Sequence, residues 1–403
     1  MSLLSLEDAF ARIVGDVVPI GDTESLPLRR CSGRVLAADI VALRTQPGFD
    51  ASAMDGYAVR AEDLAEPFTP LALIGESAAG NGFAGTIESG TCARIFTGAP
   101  MPAGADAVLI QENAERVDAK TILPLASSPA GRHIRRAGAD FKKGEVLLTA
   151  RTLLNAGKIA VGASAGHPEL TVVRRPRVAI LATGDELVLP GEAVGPAQIV
   201  SSNSFGIAAM VEGAGGEVLD YGLVRDDLGA IGTMVDRARD EAVDILVTSG
   251  GASVGDHDLV GDVFASRGVL IDFWKIAMRP GKPLMAGRLG PMRLLGLPGN
   301  PASSLVTATL FLQPLVKALL GLDPAIAYRN GILGEDLPAN DQRADFLRAT
   351  VGEASAVMPI LSTAGRQDSS LLSVFAKADA LLVREPFAPA AKAGEPCRFI
   401  SLD

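Results

Sequence analysis

Two carboxylates, Asp256 and Asp258, close the run Ser249-Gly250-Gly251-Ala252-Ser253-Val254-Gly255-Asp256-His257-Asp258, which follows a largely apolar segment at 243–247. The glycines let backbone amides face outward in a tight turn, and acids beside them can hold the Mg²⁺ that neutralises a phosphate. Taken alone, such a loop is more often a capped turn with solvated acids, so the other loops must decide. Thr183-Gly184-Asp185-Glu186 follows the apolar run 177–182, Arg225-Asp226-Asp227 follows 217–224, and Leu297-Pro298-Gly299-Asn300-Pro301 follows 293–296. One acid after one strand is usually a helix cap. An acid after each of three successive strands suits a metal–phosphate site, provided that those strands are neighbours in one sheet. Lys275, Arg279 and Lys282 supply the complement, three cations around a Pro280-Gly281 turn that read as an anion clamp. The clamp is not a P-loop, because Pro283 stands where Ser or Thr would follow the Lys and the upstream Gly is missing. Asp256 onward imitates an EF-hand but carries Val260 and Arg267 at its fifth and twelfth places. His257 reads as a loop residue rather than a ligand.

Elements that could carry these loops follow from periodicity. Strands at 177–183, 217–224 and 243–249 alternate with helices at 202–216, 226–242 and 258–267, and a long helix runs from Pro301 to Leu320 with Pro in its first turn. That alternation predicts a doubly wound, mainly parallel α/β domain over 176–325, with ligands at the carboxyl ends of the strands. Residues 5–18 read as an amphipathic helix with Leu6, Phe10, Ile13, Val14 and Val17 on one face and Ser5 capping against Asp8. From about 27 to 150 short apolar pieces broken by Gly and Pro predict a mostly β region. The tail after Pro324 predicts a small barrel-like β domain. The expected division is 1–46 with 144–175 as a linking domain, 47–143 as a mostly β domain, 176–325 as the α/β domain and 326–403 as the C-terminal β domain. Within the N-terminal half, Asp50-Ala-Ser-Ala-Met-Asp55-Gly56-Tyr57, Phe96-Thr97-Gly98 and Gly138-Ala-Asp140 put acids and small residues in tight turns, which are ordinary β turns as often as sites.

Composition narrows the partners. The 403 residues carry 37 basic and 47 acidic side chains, a net charge of −10, and are read as having no Lys/Arg-rich run, which argues against nucleic acid. Aromatic residues make up only 4%, too few for recognition by base stacking. Cys31, Cys92 and Cys397 are scattered with no CxxC pair, and a reducing cytoplasm is expected. The N-terminus has acids and a helical period instead of a secretory pattern. The most apolar stretch, 301–321, contains Gln313, Pro314 and Lys317, so no membrane span is expected.

Jointly, FDASAMDGYAV, RIFTGAPMPAGADAV, TGDEL, SGGASVGDHD, KIAMRPGKPL and LPGNPASS, in order along nearly the whole chain, resemble the MoeA family of molybdenum insertases. The resemblance implies a homodimeric transferase that takes adenylylated molybdopterin and molybdate, uses Mg²⁺, and releases AMP as metal enters the dithiolene. It implies polar site positions at Asp55, Thr97, Asp140, Glu186, Asp226 and Asp258, with Glu186, Asp226 and Asp258 on the metal and Ser253 beside the pyrophosphate. Gly250, Gly251, Lys275, Pro298 and Pro301 fall at its substrate-binding positions. Arg279, Lys282, Ser303, Arg343 and Ser369 look like its oxyanion pocket, with Arg279 where many members have Lys, and Asp368 adding a negative charge nearby. Other enzymes of the cofactor pathway are implied partners. The alternative is a MogA-type adenylyltransferase, which shares the α/β domain and its loop but lacks the flanking halves. A non-catalytic scaffold, the other alternative, would be expected to have lost the acids.

Overall fold

The computed structural model describes residues 3–66, 68–250, 259–355 and 358–402, divided into one unit of 1–24 with 173–403 and another of 25–172. The first unit opens with helix α1, Leu6–Val14, where the Ser5 hydroxyl accepts from the Asp8 amide. The helix ends four residues earlier than its apolar period predicts. Asp16 is instead drawn to Arg293 and Arg288, both at 2.7 Å, and those charges hold its carboxyl below the usual range against the opposing effect of burial.

Six strands form the central sheet: β1 Arg177–Thr183, β2 Glu217–Val224, β3 Ile245–Ser249, β4 Leu270–Lys275, β5 Pro283–Leu289 and β6 Met292–Leu297. Their spatial order is β2-β1-β3-β6-β5-β4, parallel from β2 to β6 and antiparallel for β5 and β4. Helices lie on both faces, as the alternating sequence pattern requires. Ala179, Leu181 and Leu246 pack with Ile231, Val235 and Ala238 of α3 (Leu228–Asp240) and with Val263 and Phe264 of α4 (Leu259–Ser266). Helix α2, Asn203–Gly213, buries Ile207 and Val211 and packs with the helix that follows β6. That last helix, α5 (Pro301–Leu319), holds one π-helical stretch at Ala308–Leu312. It is long and apolar enough to cross a membrane by composition, yet 83% of it is buried within the protein. Its apolarity is accounted for by core packing.

After β1 the chain goes to β2 on one side, then returns across β1 to β3 on the other. That reversal opens a crevice at the carboxyl ends of β1 and β3. The condition set by the sequence is met: the three acid-bearing loops end three adjacent strands.

The C-terminal part is a closed barrel of β7 Tyr328–Leu333, β8 Ala344–Ser355, β9 Met358–Thr363, β10 Ala380–Arg384 and β11 Pro396–Ser401. Pairing runs β8-β9-β7-β11-β10 and closes through β10 with β8. A two-residue strand, Met278–Arg279, joins the outside of β8 in parallel register, Met278 opposite Ala344 and Arg279 opposite Asp345.

In the second unit, six strands order as 107–110, 56–59, 91–95, 71–77, 121–124 and 114–116 around Val59, Leu71, Cys92 and Leu109. A separate core of Cys31, Leu36, Ile40, Phe141, Leu154 and Leu170 gathers the segments before and after that sheet. Burial keeps the Cys92 thiol protonated, pushing its pKa up to about 12.

Phe264, 1% exposed, sits in the same core as Trp274, the chain's single tryptophan. Phe264→Ala should lower the stability of the α/β domain by about 3–5 kcal/mol through lost burial and the cavity left behind. Denaturant titration followed by Trp274 fluorescence measures it, and an unshifted midpoint would contradict this packing.

Candidate functional site

The four strand ends converge on one cavity of about 630 Å³. Its lining includes Thr183, Gly184 and Glu186 after β1, Asp226 after β2, Ser249 and Gly250 after β3, and Pro298, Gly299, Asn300, Pro301 and Ser303 after β6. Backbone sterics fix the centre of this arrangement. Gly250 has φ +98°, and a Cβ there would lie 2.2 Å from the Thr183 carbonyl oxygen. Only glycine lets β1 and β3 end so close together.

Two asparagines tie the loops to each other. Asn203, at the start of α2, donates from Nδ2 to Ser249 Oγ at 3.0 Å and to the Gly299 carbonyl at 2.8 Å. Asn300 precedes α5 without capping it. Its Nδ2 instead donates to Ser369 Oγ at 3.0 Å, while the Ser369 carbonyl accepts from the Ala302 amide at 3.0 Å. A loop of the barrel is thereby seated on the first turn of α5, and Ser370 enters the cavity wall. Asp368 binds the Ser370 amide and hydroxyl at 2.8 and 2.7 Å, so its charge is spent locally, well below the usual carboxylate pKa.

Among the described residues the cavity is lined by the carboxylates Glu186 and Asp226 and by no Lys or Arg. Burial raises the Asp226 pKa first, and the negative charges of Asp185 and Glu186 raise it further. Like charges held this close favour either a proton or a metal ion. Among the described residues no three His, Cys, Asp or Glu side chains stand together as a complete metal cage. Mg²⁺ does not need one, since it keeps waters and takes one or two carboxylates together with substrate phosphates. Glu186 and Asp226 fit that pattern. Gly251, Ser253, Asp256 and Asp258, the remaining part of the Gly-rich loop, lie outside the described residues.

The cations fall elsewhere. Lys275 and Lys282 are exposed and do not line the cavity. Arg279 is already engaged. Its Nε donates to Asp345 Oδ1 at 2.7 Å, its Nη2 reaches the other Asp345 oxygen, and its Nη1 is 3.8 Å from Asp341. Arg343 pairs with Asp341 at 2.8 Å. Arg279 and Arg343 thus stand in a charge-balanced cluster with Asp341 and Asp345. Pro283, four residues beyond Arg279, does line the cavity.

In the other unit, Asp55 Oδ1 accepts from the Thr97 amide at 2.7 Å and its hydroxyl at 2.8 Å, which lowers the carboxyl pKa. Gly56 is required beside it because a Cβ would sit 2.1 Å from the Leu109 carbonyl. The Arg94 guanidinium lies 5.1 and 5.0 Å from the Tyr57 and Phe96 rings and donates to the Gly56 carbonyl at 3.2 Å. These contacts fasten the Asp55 and Phe96-Thr97 turns together. Asp140 is exposed, with its amide on the Gln46 carbonyl. The short run Arg132-His133-Ile134-Arg135-Arg136 is a basic segment, contrary to the expectation of no Lys/Arg-rich run; Arg136 pairs with Asp50 at 2.6 Å.

Comparison with known proteins agrees with this geometry. Residues 4–166 match the MoeA N-terminal region (domain I and II), 179–318 a probable molybdopterin binding domain, and 330–402 the MoeA C-terminal region (domain IV). The chain belongs to the MoeA family of molybdopterin molybdenumtransferases. A molybdopterin molybdenumtransferase of Haemophilus influenzae is 36% identical over 98% of this chain and 97% of its own length. One of Nostoc sp. is 42% identical over 77% of this chain and 74% of its own. A crystal structure of a molybdopterin biosynthesis MoeA protein from Pyrococcus horikoshii superposes with a TM-score of 0.86 at 28% identity, over 99% of this chain and 100% of that one.

The raised Asp226 pKa fixes a sign. The protonated form is the one that the fold favours, so Asp226 contributes stability below the ordinary carboxylate range, and that contribution is lost as pH rises through its elevated pKa. Asp226→Asn should therefore melt like the parent near pH 3 to 4 and at a higher temperature by about pH 7, with Mg²⁺ narrowing the gap. Thermal melts across that range decide it; a pH-independent difference would mean that the carboxylates are not crowded.

Proposed function

We propose that this transferase inserts molybdenum from molybdate into adenylylated molybdopterin, with Mg²⁺-assisted release of AMP. The observation that carries the reading is a cavity lined by two carboxylates, Gly250 and the first turn of α5, with no cation on its wall among the described residues. A pyrophosphate cannot approach Glu186 and Asp226 unaided, because their charges repel it. A divalent cation on those two carboxylates would neutralise charge on the bridging phosphates. The chain's own groups do the rest. Gly250 permits close approach of the phosphate to backbone, the α5 N-terminus favours negative charge, and Asn203 and Asn300 hold the loops in place. The cavity's hydroxyls have no histidine beside them among the described residues, so positioning and charge stabilisation carry the reaction, with water as the group that cleaves the phosphoanhydride. Arg279, Arg343, Lys282, Ser303 and Ser369 take the molybdate in this reading. Ser253 and Asp258 complete the pyrophosphate end, and Asp55, Thr97 and Asp140 serve the same reaction from the N-terminal half.

A MogA-type adenylyltransferase would use the α/β domain alone. The matches over 4–166 and 330–402 favour the insertase. With adenylylated molybdopterin, molybdate and Mg²⁺, AMP should be released without ATP. Asp226→Ala should cut that release by about 100-fold or more, the scale of removing a group that stabilises transition-state charge. Gly250→Ala should do the same by displacing the strand ends. ATP consumption with free molybdopterin would instead support the adenylyltransferase, and full turnover by Asp226→Ala would take that residue out of the site.

The same reading includes a homodimer in the cytoplasm, with other enzymes of the cofactor pathway as partners. Sedimentation should give about twice the 41.6 kDa chain mass, and a monomer at micromolar concentration would exclude the dimer.

A further inference from the structure

We propose that Asp341 is a built-in counter-anion that occupies the oxyanion pocket until molybdate displaces it, and that it sets which anions the pocket accepts. The inference rests on the reading that Arg279 and Arg343 bind molybdate. Arg279, Arg343, Asp341 and Asp345 form one cluster whose charges cancel, but the two carboxylates are held differently. Asp345 lies in strand β8, its side chain is 6% exposed, and both its oxygens engage Arg279. It is a fixed part of the sheet. Asp341 lies in the loop before β8, with its side chain 45% exposed. Its Oδ2 accepts from Arg343 Nη2 at 2.8 Å and stands 3.8 Å from Arg279 Nη1. One carboxylate thus bridges two guanidiniums in the way that an incoming tetrahedral oxyanion would, and those cations hold its pKa at about 2.

The loop does not depend on that charge. Asn340 anchors it by donating from Nδ2 to the carbonyls of Arg343, Arg384 and Glu385 at 2.7, 3.1 and 2.9 Å. The Phe387 amide donates to the Asp341 carbonyl. Asp341 can therefore turn its carboxylate into water, giving up its bonds to the Arg343 amide and guanidinium, while Asn340 and the Phe387 amide keep the loop in place. Molybdate, a dianion, gains enough from two guanidiniums to expel it. Chloride or nitrate, with a single charge, exchanges one monoanion for another and gains little. An internal competitor lowers apparent affinity by the fraction of pockets that it occupies.

Asp341→Asn tests this, because Asn keeps the Oδ1 that accepts the Arg343 amide at 2.9 Å and removes only the charge. The KM for molybdate in the AMP-release assay should fall about two- to fivefold, the scale of an exposed ion pair, with kcat unchanged. Chloride and nitrate, weak inhibitors of the parent, should become clear competitive inhibitors of the variant. Asp341→Glu, which keeps the charge, should behave like the parent. Arg343→Ala separates the two levels of the argument. If it leaves the KM for molybdate unchanged, the oxyanion reading and this proposal both fall. If it raises KM while Asp341→Asn neither lowers KM nor admits chloride, only the counter-anion role is overturned.

Discussion

One close backbone approach in the α/β domain sets the terms for the rest of its site. β1 and β3 run side by side and end with Gly250 against the Thr183 carbonyl, where no side chain fits. Because the chain reverses its direction of travel across the sheet there, the ends of β1, β2 and β3 meet at one crevice instead of being spread along an edge. The acids Glu186 and Asp226 are brought together by that topology alone. Their mutual repulsion is a cost that hydrophobic burial in the domain core offsets.

The barrel reaches this crevice through two attachments of different kinds. One is strand pairing, Met278–Arg279 on β8, which ties Arg279 and Asp345 to a fixed register. The other is the loop carrying Ser369, fastened to α5 through Asn300 and Ala302 and supported behind by Arg348 and Gln367. Gln367 accepts from the Arg348 amide at 3.0 Å and donates to its carbonyl at 2.9 Å, while Arg348 Nη2 donates to the Asp368 carbonyl at 3.0 Å. Residues distant in sequence share a site because ladder bonds and side-chain amides carry the connection, and neither depends on a long-range charge.

The first half of the α/β domain was legible because its signals are local: periodicity places β1, β2 and β3 and the helices between them, and an acid follows each of those three strands in sequence. The neighbour relation of β2 and β1 then brought Glu186 and Asp226 to one cavity. Helix α1 was overextended because periodicity at 15–18 says nothing of the pull exerted on Asp16 by Arg288 and Arg293, far along the chain. The partners of Arg279 were hidden for the same reason: they come from residues 341 and 345, which no spacing around Lys275, Arg279 and Lys282 shows. Asn203 and Asn300 stand at helix starts, and nothing in the sequence singles them out. Their side chains bridge loops, and no spacing rule announces that.

The contrast between strand and loop in the Arg279 cluster bears on how such a pocket can change over time. Arg279 and Asp345 are held in a ladder, so an insertion near either would shift every pairing beside it. Asp341 belongs to a connection between strands, where chain length and residue identity drift with little harm to the fold. A lineage could therefore retune which anion this protein prefers by rewriting a few loop residues, leaving the cationic frame untouched. Anion choice is heritable in one short segment, separate from the machinery that acts on whatever that segment admits.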